Sequence, residues 1–187
     1  HHCVYVGSST DLVINDGIFA HNGAGISDSG ATITVYAGAN GGATINGGTF
    51  DIDVDGDGIQ GDTALNITGG TFDMYGGIVD GSNVTVKADY EKHGSAIYCA
   101  GNVNIYDGII MGGNAYYGGS LYVSATGNLN ISGGTITGGV AAKGGNIYSG
   151  ESTKITANLY GGIITGGTAT SSGGNICMDK GVLNLKG

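Results

Sequence analysis

Three twenty-residue stretches in the second half of the chain are near copies of one another: VNIYDGIIMGGNAYYGGSLY from Val103, LNISGGTITGGVAAKGGNIY from Leu129 and NLYGGIITGGTATSSGGNIC from Asn158. Each has an apolar start, a glycine turn, a second apolar pair, another glycine pair, a small alanine and a closing GG-x-[IL]-[YC]. The spacing from Ile105 to Ile131 is 26 residues, from Ile131 to Leu159 28, and from Leu159 to Leu185 26. A unit this short cannot bury its own apolar face, so it must stack on its neighbours into a solenoid.

Within each copy the apolar positions alternate with polar ones over two or three residues. Leu129 and Ile131 flank Asn130, Ile136 lies between Thr135 and Thr137, and Ile147 between Asn146 and Tyr148. Alternation of period two is a strand signal that turns aliphatic side chains inward and Asn, Thr and Tyr outward. The glycine pairs supply bends at positive φ that β-branched residues resist. The expected fold is all-β, a right-handed single-stranded parallel β-helix of the pectate-lyase-like kind, with about seven coils of three short strands. Ile110, Ile136 and Ile164 should form one internal column. Ala115, Ala141 and Ala169 should form another where the interior is narrow, and Asn104, Asn130 and Asn184 an outward hydrogen-bonded ladder.

Composition agrees. With 41 glycines in 187 residues and no proline, the chain lacks what collagen requires, and its regular Ile, Val, Leu and Tyr set it apart from a disordered linker. VINDGIF at 13–19, ATINGGTF at 43–50 and ALNITGGTF at 64–72 carry the pattern through the first half. Aligned on Ile14, Ile45, Ile67 and Ile105, the spacings there are an uneven 31, 22 and 38 residues. We therefore expect one domain over 1–187, with 80–93 (DGSNVTVKADYEKH) as a projecting loop or hairpin. The last residues, Leu183-Asn184-Leu185, read as the first strand of another coil, as in a segment of a longer repeat protein.

The net charge of −9 is uneven. Residues 1–93 hold twelve acids and two lysines, whereas 94–187 hold three acids and four lysines, and there is no arginine. Such a chain lacks the basic footprint for nucleic acid or anionic lipid. No apolar run reaches the roughly 20 residues that span a bilayer, so membrane insertion is not expected. Cys3, Cys99 and Cys177 are too few, too scattered and odd in number for a disulfide framework or a zinc site, and their role is not legible.

GGTFDIDVDGDGIQGDTALNITGGTF, residues 47–72, resembles the calcium-dependent carbohydrate-binding β-helix proteins of bacterial cell surfaces. The GG-x-[IL]-Y and GGTITGG units resemble the repeats of bacterial surface adhesins, including the polymorphic outer-membrane type with GG-[AN]-[IL] tetrads. These resemblances imply secretion or display on a cell surface, and contact with a polysaccharide or host glycan.

Two groups of residues are candidate sites. Asp51, Asp53, Asp55, Asp57 and Asp62 place five carboxylates within twelve residues. DVDGDG resembles the calcium loops of thrombospondin type 3 repeats and dockerins, but Asp62 stands where an EF-hand has its bidentate glutamate. Either Ca²⁺ neutralises these charges, or they form a solvated acidic turn with Asp51 and Asp53 facing water. Tyr98, Tyr122 and Tyr148 repeat at one outward position, with Cys177 next in the series. Stacked there, they form either a strip against sugar rings or cross-coil packing that stiffens the sheet; Tyr106, Tyr116, Tyr117 and Tyr160 could widen the strip.

Catalysis lacks residues to carry it. No arginine can serve as a lyase base, the acids lie mostly in one turn rather than across a scissile bond, and His21 and His93 stand without nucleophile partners. The expected function is a non-catalytic, glycan-binding surface module. The alternative is a structural stalk that associates end to end, and a polysaccharide lyase ranks last.

Overall fold

Aliphatic residues separated by one polar residue, at a recurring interval of under thirty, give short strands that bond to the same strand of the next repeat. A computed structural model describes residues 4–7, 10–23, 33–35, 42–56, 65–67, 71–83, 85–86, 93–124, 127–149 and 154–186. Among these there is no helix, and every strand pairing is parallel. The fold is a parallel β-solenoid.

Three stacked sheets make its walls. The first runs through Val4–Val6, Ile33–Val35, Leu65–Ile67, Ile97–Cys99, Leu121–Val123, Ile147–Ser149 and Ile176–Met178. The second runs through Leu12–Ile14, Gly42–Ile45, Thr71–Met74, Asn102–Ile105, Asn128–Ile131, Ile155–Leu159 and Gly181–Leu185. The third includes Thr49–Gly56, Ile78–Asp80, Ile109–Met111, Thr135–Thr137 and Ile163–Thr165, with Ile18–Gly23 also paired to Thr49–Gly56. A two-stranded fourth sheet joins Val140–Lys143 to Thr168–Ser172.

Ile110, Ile136 and Ile164 are in register, and the first two are buried. They belong to one continuous apolar cluster that includes Ile45, Phe72, Met74, Ile97, Ile105, Leu121 and Ile147. Ala141 pairs with Ala169 in the fourth sheet, and the amide of Ala115 donates to Val140 O at 2.9 Å. Ala115 and Ala141 are buried, yet they lie outside the central cluster, so the narrow place is this accessory wall.

The uneven spacing of the first half came from one misaligned rung. Ile45 pairs not with Ile67 but with Met74, which in turn pairs with Ile105. Ile67 belongs to the first sheet, between Val35 and Cys99. With Met74 in the series the intervals from Ile14 are 31, 29 and 31, close to the later ones. Within 80–93, Thr85–Val86 pairs in parallel with Asp55–Gly56, continuing a wall of the solenoid at that point; residues 84 and 87–92 lie outside the described residues.

The x of GG-x-[IL] explains why the glycine pairs recur. Asn146 is fully buried. Its Oδ1 accepts from Gly139 N at 2.9 Å and from Ser120 Oγ at 3.0 Å. Its Nδ2 donates to Thr165 O at 2.7 Å and to Asn175 Oδ1 at 2.9 Å. All four capacities of the amide are thereby used. One coil on, Asn175 Oδ1 accepts from Gly167 N at 2.9 Å; two coils back the x position is Ala96, and Ser95, in place of the second glycine, accepts from Gly113 N at 2.6 Å. Asn146 and Asn175 thereby tie the GG bend that closes the third strand to the GG bend that opens the next coil. At the opening bend Gly94, Gly118, Gly144 and Gly173 share a φ of 61–65°, a left-handed conformation that favours glycine.

Outside the second sheet, Asn104 Nδ2 donates to Asp73 Oδ1, Asn130 to Asn104, Asn158 to Asn130 and Asn184 to Asn158, each at 2.8 Å. The expected amide ladder is present, and Asp73, which accepts the Asn104 N–H, ends it on one side.

Candidate functional site: aromatic columns and the acidic strand

Asp51, Asp53 and Asp55 occupy alternate positions of the strand Thr49–Gly56, so this part of the acidic run is extended backbone. At about 3.3 Å per residue, Asp51 and Asp55 stand about 13 Å apart along the strand, beyond the reach of one ion with oxygen ligands at 2.3–2.6 Å. Neighbouring strands bring acids closer, since Asp51 is in register with Asp80. Asp80 Oδ1 accepts from Ser82 N at 2.9 Å. Asp57 and Asp62 lie outside the described residues, and among the described residues no three His, Cys, Asp or Glu side chains converge on a metal position.

Tyr98, Tyr122 and Tyr148 do form a column: they are in register, followed by Cys177. Tyr98 and Tyr122 stack with centroids 5.3 Å apart and 11° between planes, and Tyr122 and Tyr148 at 5.7 Å and 16°. Of the two arrangements open to such a column, a strip against sugars or cross-coil packing, this one has its central rings buried. Tyr122 is 3% exposed and Tyr148 0%. The rings are covered by a second column, the residue before each left-handed glycine: His93, Tyr117 and Lys143, aligned by parallel bridges. His93 stacks on Tyr122 at 4.3 Å, and Tyr117 on Tyr148 at 4.5 Å. The two columns interdigitate as a small second core outside the first sheet. The positions lie five residues apart in every copy, 93 and 98, 117 and 122, 143 and 148, and that constant offset was the available signal.

The second core ends on a polar clasp. Lys143 Nζ donates to Asp179 Oδ2 at 2.8 Å, and Tyr148 Oη donates to the same oxygen at 2.7 Å. These two bonds, Lys143 first, hold the Asp179 carboxyl below its ordinary range. Cys177 Sγ lies 3.6 Å from Asp179 Oδ1; loss of hydration and then the nearby carboxylate push this thiol up. Burial pushes Cys99 further, to about 12. Neither described thiol is thus a ready nucleophile at neutral pH; Cys3 lies outside the described residues.

Exposed aromatic surface lies at the corner that follows the second sheet. The residue after the last paired position of each strand there is Asn15, Asn46, Tyr75, Tyr106, Ser132, Tyr160 and Lys186 in successive repeats. Backbone bonds of 2.7–2.9 Å fix the column, among them Tyr106 N to Met74 O, Ser132 N to Ile105 O and Tyr160 N to Ile131 O. Tyr75, Tyr106 and Tyr160 are 49%, 44% and 48% exposed. Tyr75 and Tyr106 stack at 4.5 Å and 7°, and Lys186 Nζ sits 5.3 Å from the Tyr160 centroid. Lost hydration and then Tyr75 and Asp73 push the Tyr106 phenol up, so it stays protonated at neutral pH.

No protein family, curated protein or solved structure matches this chain. Among the described residues no helix is long and apolar enough to cross a membrane.

Proposed function

We propose that this chain is a non-catalytic, secreted or cell-surface β-helix module that binds a polysaccharide or host glycan, as adhesin-type repeats do. The observation that carries the reading is the row of solvent-exposed tyrosines at one corner, Tyr75, Tyr106 and Tyr160. Rigid aromatic rings held in line by a sheet offer apolar faces to sugar rings with little ordering cost. The glycan contact is therefore assigned to this row rather than to Tyr98, Tyr122 and Tyr148, whose faces are covered by His93 and Tyr117.

Calcium belongs to the proposal as a cation of the acidic segment 51–62, shared by some of its acids and not by Asp51 and Asp55 at once. Five carboxylates in twelve residues and the Asp51–Asp80 register support it, because such charges repel unless a hard cation lies among them. The solenoid is read as right-handed, with seven coils, from the crossover preference of parallel strands and the seven rungs of its first two sheets. The absence of arginine and the neutral thiols support a non-catalytic role.

The test is a polysaccharide pull-down and glycan array with and without Ca²⁺. Retention that falls on Tyr106→Ala supports the reading; no retention under either condition refutes it. A second reading, end-to-end association of copies, draws on the apolar end of the solenoid. Ile163 and Leu185 are 59% and 69% exposed there, beside a cavity of about 310 Å³ lined by Leu159, Ile164, Ile176 and Leu185. Sedimentation that shows growing assemblies, reversed by Leu185→Lys, would favour it.

A further inference from the structure

The corner row is interrupted at one rung, and the interruption has the size of a ligand. Ser132 stands directly between Tyr106 and Tyr160, in register with both and exposed. The rungs of Tyr106 and Tyr160 are separated by two strand spacings, about 9.6 Å. A ring in van der Waals contact with both faces needs about 3.5–4.0 Å on each side, or roughly 7–8 Å in all. One ring fits; two, which need a third such spacing, do not. The next outward position back along the same strand is Asn130, a rung of the amide ladder. Its amide gives one N–H to Asn104 Oδ1 and accepts one from Asn158 Nδ2, which leaves a donor and an acceptor for a hydroxyl.

We propose that the slot between Tyr106 and Tyr160, floored by Ser132 and flanked by Asn130, binds a single pyranose ring of a neutral polysaccharide. The rings of the two tyrosines take the sugar's apolar faces and the amide takes an edge hydroxyl. A neutral sugar is favoured over a uronate because Asp73 and Asp107 lie at the neighbouring rungs and the chain carries a net charge of −9. This inference rests on the glycan-binding reading and fixes where on the row the ligand sits. It also makes a sign-specific prediction, because a tyrosine at 132 would extend the Tyr75–Tyr106 stack and fill the slot.

The experiment is isothermal titration of the whole chain with soluble β-glucans and galactomannan, and with pectate as the anionic arm, on wild type and the variants Ser132→Tyr, Ser132→Ala and Tyr106→Ala. Circular dichroism and thermal melts check that each folds. The expected result is binding of a neutral polymer by wild type and Ser132→Ala, a loss of tenfold or more in Tyr106→Ala, and no binding by a folded Ser132→Tyr. Undiminished or tighter binding by Ser132→Tyr would overturn the slot and leave glycan binding along the row standing. Binding of pectate alone would overturn the choice of a neutral ring, and no binding of any polymer by wild type would overturn both the slot and the function on which it rests.

Discussion

Replacing Asn146 by alanine tests whether the buried polar column holds the repeats together. The amide makes four hydrogen bonds in a site with no solvent exposure. Ser120 Oγ also lies 3.2 Å from Thr137 O, and Asn175 Oδ1 keeps Gly167 N, so those two groups retain partners. Gly139 N–H and Thr165 C=O each lose the partner that Asn146 supplies. The Gly139 N–H is buried and, stripped of its partner, costs about 1–3 kcal/mol, whereas Thr165 is exposed and water can replace its lost bond, so the expectation is about 2 kcal/mol. That is a large share of the ~5–15 kcal/mol that holds a domain folded. Asn130→Ala is the matched control. It also removes a ladder amide and two bonds, but its site is half-buried and water can replace them, for about 1 kcal/mol. Urea unfolding followed by circular dichroism gives both values, and amide exchange at Gly139 shows whether the damage is local. If Asn146→Ala costs no more than Asn130→Ala, the buried amide does not hold the repeats together.

The clasp on Asp179 makes stability depend on pH. Because the folded carboxyl is held below its ordinary value, its contribution is present above the ordinary carboxylate range and is lost as pH falls toward and through the lowered one; Asp179→Asn should flatten that part of a plot of Tm against pH. Cys99 behaves in the opposite sense: with its folded value pushed to about 12, the fold should lose stability as pH rises above the thiol's ordinary 9.0, since the unfolded chain sheds the proton first. At neutral pH a maleimide should label Cys99 only as fast as the native chain opens, and labelling at the rate of a free thiol would contradict its burial.

The solenoid was legible because its signal is repetition at two scales, alternation within a strand and an interval near 28 between strands. Where both were present, as from Val103 onward, the expected columns of Ile110, Ile136 and Ile164 and of Asn104, Asn130 and Asn184 are found in register. The isoleucine series breaks at one rung, where a different apolar residue serves the same purpose. Met74 fills the position of Ile45 and Ile105, and a search for isoleucine passes over it to Ile67, one sheet away. The side-chain bonds of the GG-x-[IL] unit were not legible, because Asn146 and Asn175 look like polar residues of any turn until the glycine amides they bind are brought to them.

The tyrosines show why alternation fixes which wall a residue faces but not whether that face is wet. Tyr122 and Tyr106 both lie outside the main core, one along the first sheet and one at the corner past the second. What separates them is the chain that returns over the first sheet. There the segment before each GG bend crosses the outer face and lays His93 or Tyr117 against the rings, with Lys143 aligned beside them. At the corner, the next residues, Asp107-Gly108 after Tyr106 and Gly161-Gly162 after Tyr160, turn away into the third sheet and leave the rings uncovered. An outward aromatic column in a solenoid is thus structural where a bulky residue recurs at a fixed offset beside it, and available to a ligand where glycine does. By that criterion the Tyr75, Tyr106 and Tyr160 row is the one whose conservative replacement should leave the melt unchanged and alter binding, whereas Tyr148→Ala should do the reverse, removing a fully buried ring and its bond to Asp179 at a cost of about 3–5 kcal/mol.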